Sequence, residues 1–257
     1  MLDLRNRIAI ITGASAGIGK ACAEAFGAAG ASLVLAARRQ GRLKDLADTL
    51  KARFGTKSLL LELDVRDRGA VDRAFASLPS EWQAAEILVN NAGLGRGLDR
   101  LQDGNPEEWD EMLDTNVKGL LYITKAVLPG MVARGKGHVI NIGSIAGREL
   151  YPGGNVYCAT KFAVKALTRA LKIDLLGTPL RVSTIDPGMV ETEFSLVRFH
   201  GDAEKAAKVY KGLKALAAED IADAAVWVAT RPAHVDVTEM VILPTAQATA
   251  ILNHREG

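Results

Sequence analysis

The sequence predicts an α/β fold, a doubly wound parallel sheet of seven strands that forms a single domain over residues 1–257. Short apolar runs alternate with longer helical patterns along the chain. The short runs are nearly continuously hydrophobic, as expected for parallel strands that are covered by helices on both faces. No repeat, low-complexity tract or Pro/Gly-rich linker divides the chain, and one domain of this length is common among α/β proteins.

Strands and helices can be assigned in order along the chain. The predicted strands are residues 7–12, 33–36, 59–63, 87–90, 138–142, 182–185 and 240–243. The clearest helical patterns between them are 20–29, 107–134 and 155–176. The least regular stretch, 189–212, follows the sixth strand and is predicted to be a lid. Ligands of such sheets bind beyond the carboxyl ends of the strands, so functional residues are expected just after each strand.

Composition argues against several classes of protein. Acidic and basic residues are interspersed, and the net charge is +2, so we expect no nucleic-acid partner. No apolar run approaches the roughly 18 residues of a membrane span, and Met1 leads within a few charged residues into the first strand, which leaves no signal peptide. Cys22 and Cys158 lack the spacing of a zinc site or a disulfide framework. We therefore expect no metal, no membrane association and a reducing, cytoplasmic location.

Glycines follow the first predicted strand in the pattern Gly-x-x-x-Gly-x-Gly. Glycine at such a turn lets the backbone approach a pyrophosphate, and the amides at the start of the next helix face its negative charge. A plain strand-to-helix turn is the alternative. The position between a strand and a helix favours dinucleotide binding, with these candidate contacts: Gly13, Ser15, Ala16, Gly17, Ile18 and Gly19.

The end of the second strand predicts which dinucleotide binds. An enzyme that uses NAD carries an acidic residue here for the ribose hydroxyls, whereas this chain has Arg38 and Arg39. Two guanidinium groups can form charge-assisted hydrogen bonds to the 2′-phosphate of NADP. Arg38 is the stronger candidate. The alternative is that both arginines only decorate the solvated start of the next helix.

Tyr157 and Lys161 are the strongest catalytic candidates. Residues four apart lie on one helix face, so phenol and ammonium share a side. The positive charge of Lys161 favours the phenolate form of Tyr157, which lets the phenol act as acid or base. Ser144, at the end of the fifth strand, can polarise a carbonyl oxygen by hydrogen bonding. A Tyr-x-x-x-Lys pair alone occurs by chance in many helices, and only its surroundings favour chemistry.

These motifs, in this order, resemble the short-chain dehydrogenase/reductase family over nearly the whole chain. The resemblance implies a Rossmann fold in which NADPH delivers hydride to a carbonyl carbon while Tyr157 protonates the oxygen. It also implies a homotetramer, and a fourth catalytic residue, Asn116, that supports a water and proton relay to Lys161. Besides Tyr157 and Lys161 themselves, the cofactor contacts that it implies are Asp64, Val65, Asn91, Ala92, Gly93, Pro187, Gly188, Val190 and Thr192.

Several longer stretches resemble a subgroup that acts on 3-hydroxy acids such as serine, L-allo-threonine and 3-hydroxypropionate. They are residues 127–131, 153–157, 190–198 and 243–247. A carboxylate taken out of water needs a cation, and Arg148 and Arg198 are the candidates, with Ser144 and Tyr157 at the reacting end.

Alternatives stay open for both the arginines and the function. Arg148 and Arg198 can instead pair with a nearby acid such as Glu149 or Glu193. The function can be reduction of other carbonyls (sulfoacetaldehyde, ketones or 3-oxoacyl thioesters), or non-catalytic NADP binding.

Overall fold

Seven parallel strands form one sheet in the computed structural model, which describes residues 3–256. The order across the sheet is β3-β2-β1-β4-β5-β6-β7. The strands are Ile8–Thr12 (β1), Ser32–Ala37 (β2), Ser58–Glu62 (β3), Ile87–Asn90 (β4), His138–Ile142 (β5), Arg181–Pro187 (β6) and Glu239–Ile242 (β7). All seven predicted strands are confirmed, with ends that shift by two residues at most. Residues 1, 2 and 257 of the predicted domain lie outside the described residues.

Nine α-helices among the described residues surround the sheet. They are Gly17–Ala28 (α1), Gln40–Phe54 (α2), Arg68–Ala76 (α3), Pro106–Leu113 (α4), Leu120–Arg134 (α5), Asn155–Asp174 (α6), Phe194–Arg198 (α7), Ala203–Lys208 (α8) and Ala218–Ala229 (α9). Phe26 of α1 and Ile221 of α9 are buried in the core on one face. Val71 of α3 and Met131 of α5 are buried in the core on the other. The sheet is thus doubly wound, as its largely apolar strands predict.

The strand order reverses between β1 and β4. From β1 the chain proceeds outward through β2 and β3, and it then returns to pair β4 with the opposite edge of β1. The loops that follow β1 and β4 therefore lead to opposite faces of the sheet, and a crevice lies between them. Any ligand of this sheet is expected at that crevice.

Two predicted segments differ from the structure. The pattern 107–134 is not one helix, because a π-helical turn at Asp114–Gly119 separates α4 from α5. A π turn carries wider i→i+5 bonds and often marks a functional site, and here it contains the buried Asn116. The predicted lid 189–212 is more regular than expected, since it contains α7 and α8.

Candidate active site

A cleft of about 540 Å³ opens at the carboxyl ends of the strands, at the crevice beside β1 and β4. Twenty of the predicted site residues line it, among them Ser144, Tyr157, Lys161 and Arg198. The other sixteen are Gly13, Ser15, Ala16, Gly17, Ile18, Arg38, Arg39, Asp64, Val65, Asn91, Ala92, Gly93, Pro187, Gly188, Val190 and Thr192. Gly19, Asn116 and Arg148 are not among the lining residues.

The glycine-rich loop brings backbone to the cleft wall. Gly13 and Gly17 have φ angles of 66° and 50°, a left-handed conformation that a residue with a Cβ adopts only with strain. Gly17 opens α1, whose N-cap Ala16 has no side chain to bond the first helical amides. These amides are therefore free to bind an anion at the cleft.

Gly19 has a different role from the other glycines of the loop. It is buried, and a Cβ there would overlap the carbonyl oxygen of Gly13 and the Nδ2 atom of Asn91. The missing side chain lets α1 pack closely against the loop and the end of β4. Gly19 thus shapes the loop without lining the cleft.

Arg38 and Arg39 follow β2 and differ in their contacts. Arg39 donates from Nε to Ser15 Oγ (3.1 Å) and from Nη1 to Glu193 Oε2 (3.1 Å). Within residues 3–256, no side chain forms a hydrogen bond or ion pair with Arg38. Its exposed guanidinium is therefore available to a ligand phosphate.

Asp64, after β3, is held as a carboxylate. Arg66 donates to both of its oxygens, with Nη2 2.6 Å from Oδ2 and Nε 3.0 Å from Oδ1. Burial alone would raise the pKa of Asp64, but the hydrogen bonds from Arg66 outweigh burial and lower it. Asp64 therefore stays ionised at neutral pH in the lining of the cleft.

The segment Asn90–Gly93 braces the sheet beneath the cleft. Asn91 donates from Nδ2 to the Thr12 carbonyl (2.9 Å), and the amides of Asn91 and Ala92 both donate to Thr12 Oγ1 (3.0 Å each). These bonds hold the ends of β1 and β4 together. The turn therefore has a structural role in the sheet, and its role in cofactor binding stays a prediction.

The catalytic candidates converge on one wall of the cleft. Tyr157 and Lys161 lie on α6 and are 9% and 8% exposed. Lys161 Nζ lies 5.9 Å from the centre of the Tyr157 ring and donates to the Ile142 carbonyl at the end of β5 (3.0 Å). Ser144 Oγ accepts from the Ala146 amide (3.1 Å), which leaves its hydroxyl proton for a ligand. A phenol, an ammonium and a hydroxyl therefore meet at one place.

Asn116 lies behind this wall in the π turn. Its side chain accepts from the Leu94 amide (2.9 Å) and donates to the Leu94 carbonyl (2.8 Å) and to Thr160 Oγ1 (3.0 Å). Thr160 precedes Lys161, so Asn116 anchors the helix at the lysine. The predicted water and proton relay stays a prediction.

Arg198, in α7 of the predicted lid, faces Tyr157. Its guanidinium carbon lies 4.8 Å from the centre of the Tyr157 ring, and Nη2 donates to Tyr151 Oη (3.0 Å). Its Nε is buried without a hydrogen-bond partner among the described residues. A buried donor that lacks a partner is costly, so this atom is a candidate for binding a substrate anion.

Tyr151 lines the cleft but was not among the site residues predicted from the sequence. Burial raises the pKa of its hydroxyl above the ordinary value of 10.0, so Tyr151 remains a neutral donor beside Arg198. Four residues near the C-terminus also line the cleft and were likewise not predicted: Gln247, Ala250, Asn253 and Arg255. An aromatic residue between β5 and Tyr157 was the only available signal for Tyr151. Gln247 falls in the stretch 243–247 that resembles the 3-hydroxy acid subgroup, whereas Ala250, Asn253 and Arg255 follow no strand-end motif.

Arg148 does not take the position expected of a substrate-binding residue. It donates from Nε to Asp186 Oδ2 (2.7 Å) and from Nη2 to Glu239 Oε2 (2.5 Å). Arg148 therefore pairs with acidic residues, as the alternative interpretation predicted, but its partners are not the predicted Glu149 or Glu193. Glu149 accepts from the Ala250 amide instead, and Glu193 of the lid pairs with Arg39 and Arg42.

Residues 3–256 contain neither a cluster of metal-ligating side chains nor a helix suited to span a membrane. In the part of the chain that the structure describes, no three His, Cys, Asp or Glu side chains are grouped so that they could hold a metal ion. Likewise, none of the helices within residues 3–256 combines the length and the apolar character needed to cross a bilayer.

The chain belongs to the short-chain dehydrogenase family, whose model matches residues 7–203. It is 48% identical to an NADP-dependent 3-hydroxy acid dehydrogenase of Escherichia coli K12, over 97% of this chain and all of that one. It is 43% identical to an enzyme of the same description from Schizosaccharomyces pombe, over 99% and 98% of the two chains. Among solved structures, it resembles the closed form of a serine dehydrogenase complexed with NADP⁺ (TM-score 0.91, 47% identity, 97% and 100% covered).

Proposed function

We propose that the protein is an NADP-dependent oxidoreductase that interconverts a small 3-hydroxy acid, of the serine, L-allo-threonine or 3-hydroxypropionate type, and its carbonyl form. The observation that carries this proposal is the convergence of Tyr157, Lys161 and Ser144 on the cleft that the glycine-rich loop also lines. The relatives described as NADP-dependent 3-hydroxy acid dehydrogenases support it.

Each catalytic residue has a separate task in carbonyl reduction. Bound NADPH supplies the hydride. Tyr157 donates its phenolic proton to the carbonyl oxygen, and Ser144 donates a hydrogen bond to the same oxygen, which stabilises the developing charge. Lys161, held by the Ile142 carbonyl, places a positive charge beside the phenol and stabilises its anion after proton transfer.

The cofactor preference is assigned to the arginines after β2. Arg38 is free to pair with a 2′-phosphate, and Arg39 lies between Ser15 of the glycine-rich loop and Glu193 of the lid. Arg38 carries this preference, because Arg39 is already bonded to Ser15 and Glu193 and a guanidinium without an opposing acid favours a phosphate over bare ribose hydroxyls.

Arg198 is proposed to bind the substrate carboxylate. Its Nε lacks a partner among the described residues, and the Tyr151 hydroxyl, which accepts from Arg198, keeps its own proton for donation. A carboxylate oxygen at this position would satisfy both donors within reach of Tyr157. A sulfonate, as in sulfoacetaldehyde, is the second candidate anion, because its oxygens would satisfy the same donors.

A homotetramer is proposed from the apolar residues that α5 and α6 leave exposed. Leu121, Val132, Phe162 and Ile173 are 42%, 43%, 41% and 72% exposed, and such residues on long helices favour burial between subunits. A monomeric mass by light scattering at micromolar concentration would contradict this assembly.

A cytoplasmic location is also proposed. It is supported by Cys22 and Cys158, which are both buried and form no disulfide.

A substrate panel tests the function. The purified protein is assayed with NADP⁺ and NAD⁺ on serine, L-allo-threonine, 3-hydroxypropionate, 3-hydroxybutyrate and simple secondary alcohols. We expect the highest kcat/KM with NADP⁺ and a 3-hydroxy acid. Activity confined to neutral alcohols would refute the proposed substrate class, and no activity on any compound, with cofactor binding retained, would support the non-catalytic alternative.

A variant pair tests the anion site within that panel. Arg198→Gln should raise KM for hydroxy acids at least tenfold and leave KM for a neutral alcohol near the wild-type value. The control is Arg53→Gln, which removes an arginine that likewise stacks on an aromatic ring, 4.7 Å from the centre of Phe54, outside the cleft lining. An equal change for acids and alcohols in Arg198→Gln would contradict the assignment.

A further inference from the structure

A cluster of four charged side chains connects the loop after β5 with β6, β7 and α6. Asp186 is 2% exposed, and it accepts from Arg148 Nε (2.7 Å) and from Thr184 Oγ1 (2.7 Å). Glu239 of β7 accepts from Arg148 Nη2 (2.5 Å) and, on its other oxygen, from Arg169 Nε (2.8 Å). Arg148 therefore links the buried Asp186 to the neighbouring strand.

Both partners of the central pair are next to proposed site residues. Arg148 directly follows the 3₁₀ turn Ile145–Gly147, which Ser144 caps through the Ala146 amide. Asp186 directly precedes Pro187 and Gly188, which line the cleft. The Arg148–Asp186 bond thus ties the loop that carries Ser144 to the Pro187–Gly188 segment, which carries predicted cofactor contacts.

The carboxylate of Asp186 also packs directly against the backbone before Ser144. A Cβ on Gly143 would overlap Asp186 Oδ1, and the Gly143 amide donates to the Ile185 carbonyl (2.8 Å). Because Gly143 and Ser144 are adjacent, a shift of the carboxylate moves the backbone that aims the serine hydroxyl.

We propose that Arg148 is a positioning residue for hydride transfer. It neutralises the buried Asp186 and so fixes the relative position of Ser144 and the Pro187–Gly188 segment. A buried carboxylate that loses its cation must take up a proton or move, and either change displaces Ser144. The inference rests on the proposed function, because it requires Ser144 and Tyr157 to be the catalytic groups.

Arg148 acts without touching the substrate. It does not line the cleft, and two of its guanidinium nitrogens are bonded to the two acids. A substrate-binding arginine affects KM for anionic substrates only. A positioning arginine affects the chemical step for anionic and neutral substrates alike, with KM little changed.

The test compares Arg148→Gln and Arg148→Lys with the control Arg169→Gln. Arg169 is the other arginine on Glu239, so the control removes a charge from the same cluster without touching Asp186. The readouts are the single-turnover rate of NADPH oxidation, the steady-state KM for a hydroxy acid or its carbonyl form and for a neutral substrate, the Kd for NADPH, and the Tm.

We expect Arg148→Gln to slow single-turnover hydride transfer about 10- to 100-fold, below the 10²–10³ lost when a polarising donor is removed outright. The loss should be the same for both substrates, with NADPH Kd and both KM values within about twofold of wild type. Arg148→Lys should recover part of the rate, because it restores the charge without the paired geometry. Arg169→Gln should match wild type in rate.

A double variant keeps the test decisive if Arg148→Gln does not fold. Arg148→Gln/Asp186→Asn removes both charges, so no unpaired buried charge is left, but it also removes the bond that ties the two segments together. Its single-turnover rate should therefore be lower than that of wild type, by a smaller factor than in Arg148→Gln. A wild-type hydride-transfer rate in Arg148→Gln or in the double variant, with only the Tm lowered, would overturn the inference. So would a rise in KM confined to anionic substrates.

The inference and the proposed function fail in different ways. If Tyr157→Phe and Ser144→Ala lose activity while the Arg148 variants keep it, only the positioning role is refuted. If Tyr157→Phe keeps wild-type turnover, the proposed catalytic assignment itself is refuted.

Discussion

Arg38 offers a quantitative test of cofactor discrimination. Arg38→Gln removes the positive charge but keeps an amide donor at the end of β2. Within the described part of the chain the guanidinium makes no hydrogen bond or ion pair, so its loss should leave the fold intact and act on the ligand alone. Arg39 is less suitable, because it also holds Ser15 and Glu193.

The size of the effect follows from the kind of bond that is lost. A hydrogen bond to a charged group contributes about 1.5–3 kcal/mol, and each 1.4 kcal/mol is about tenfold in affinity. Arg38→Gln should therefore lower kcat/KM for NADP⁺ roughly 10- to 150-fold. NAD⁺ has no 2′-phosphate, so its kcat/KM should change by less than about threefold.

The assay measures kcat/KM for both cofactors at saturating substrate, in low and in high salt. Arg53→Gln is the control, because it makes the same charge change at the far end of α2, about 20 Å along the helix. At that distance dissolved ions screen most of the electric field of Arg53. Equal losses for NADP⁺ and NAD⁺, or no loss for either, would refute the assignment of Arg38 to the 2′-phosphate.

Two further predictions concern stability. Burial, and then the nearby Arg181, lower the pKa of His138 well below 6.5, so the unfolded chain gains a proton that the folded chain does not. The free energy of unfolding should thus fall as pH drops below about 6.5, by up to about 1.4 kcal/mol per pH unit. In His138→Gln it should fall less steeply with pH. Identical pH dependence of the unfolding free energy in the two proteins, measured by urea denaturation, would refute this prediction. Gly19→Ala should cost about 1–3 kcal/mol, because the new Cβ overlaps Gly13 and Asn91, and it should weaken NADPH binding. The control Gly41→Ala, whose Cβ would meet nothing within 4 Å, should be neutral or slightly stabilising; equal destabilisation by both changes would contradict the packing role of Gly19.

The sheet and most of the cleft could be predicted because the signals are local. Strands buried on both faces are apolar at most positions, and β4 and β5 were located to the residue. Ligand residues of a parallel sheet follow strand ends, so locating the strands also located Ser144, Arg38 and the glycine-rich loop.

The rest depends on contacts between distant parts of the chain. In the π turn, Asn116 forms hydrogen bonds with Leu94 and Thr160, which lie 22 and 44 positions away in the chain. A helical pattern in the sequence does not reveal such distant contacts. Arg148 and Arg198 had equal claims to the substrate in the sequence. Only the structure distinguishes the two arginines. Arg148 is paired with Asp186 and Glu239, which lie 38 and 91 positions away in the chain, and a guanidinium that is already paired is not available to an anion.

The central claim is that Tyr157 provides the acid/base group of hydride transfer, and Tyr157→Phe tests it most directly. The substitution removes only the phenolic hydroxyl from a buried ring that packs 5.5 Å from the centre of the Phe194 ring. The measurement is kcat on the best substrate of the panel, with NADPH Kd determined on the same preparation. We predict that kcat falls by about 10² or more while Kd changes less than about threefold. Near wild-type turnover in Tyr157→Phe would contradict the claim.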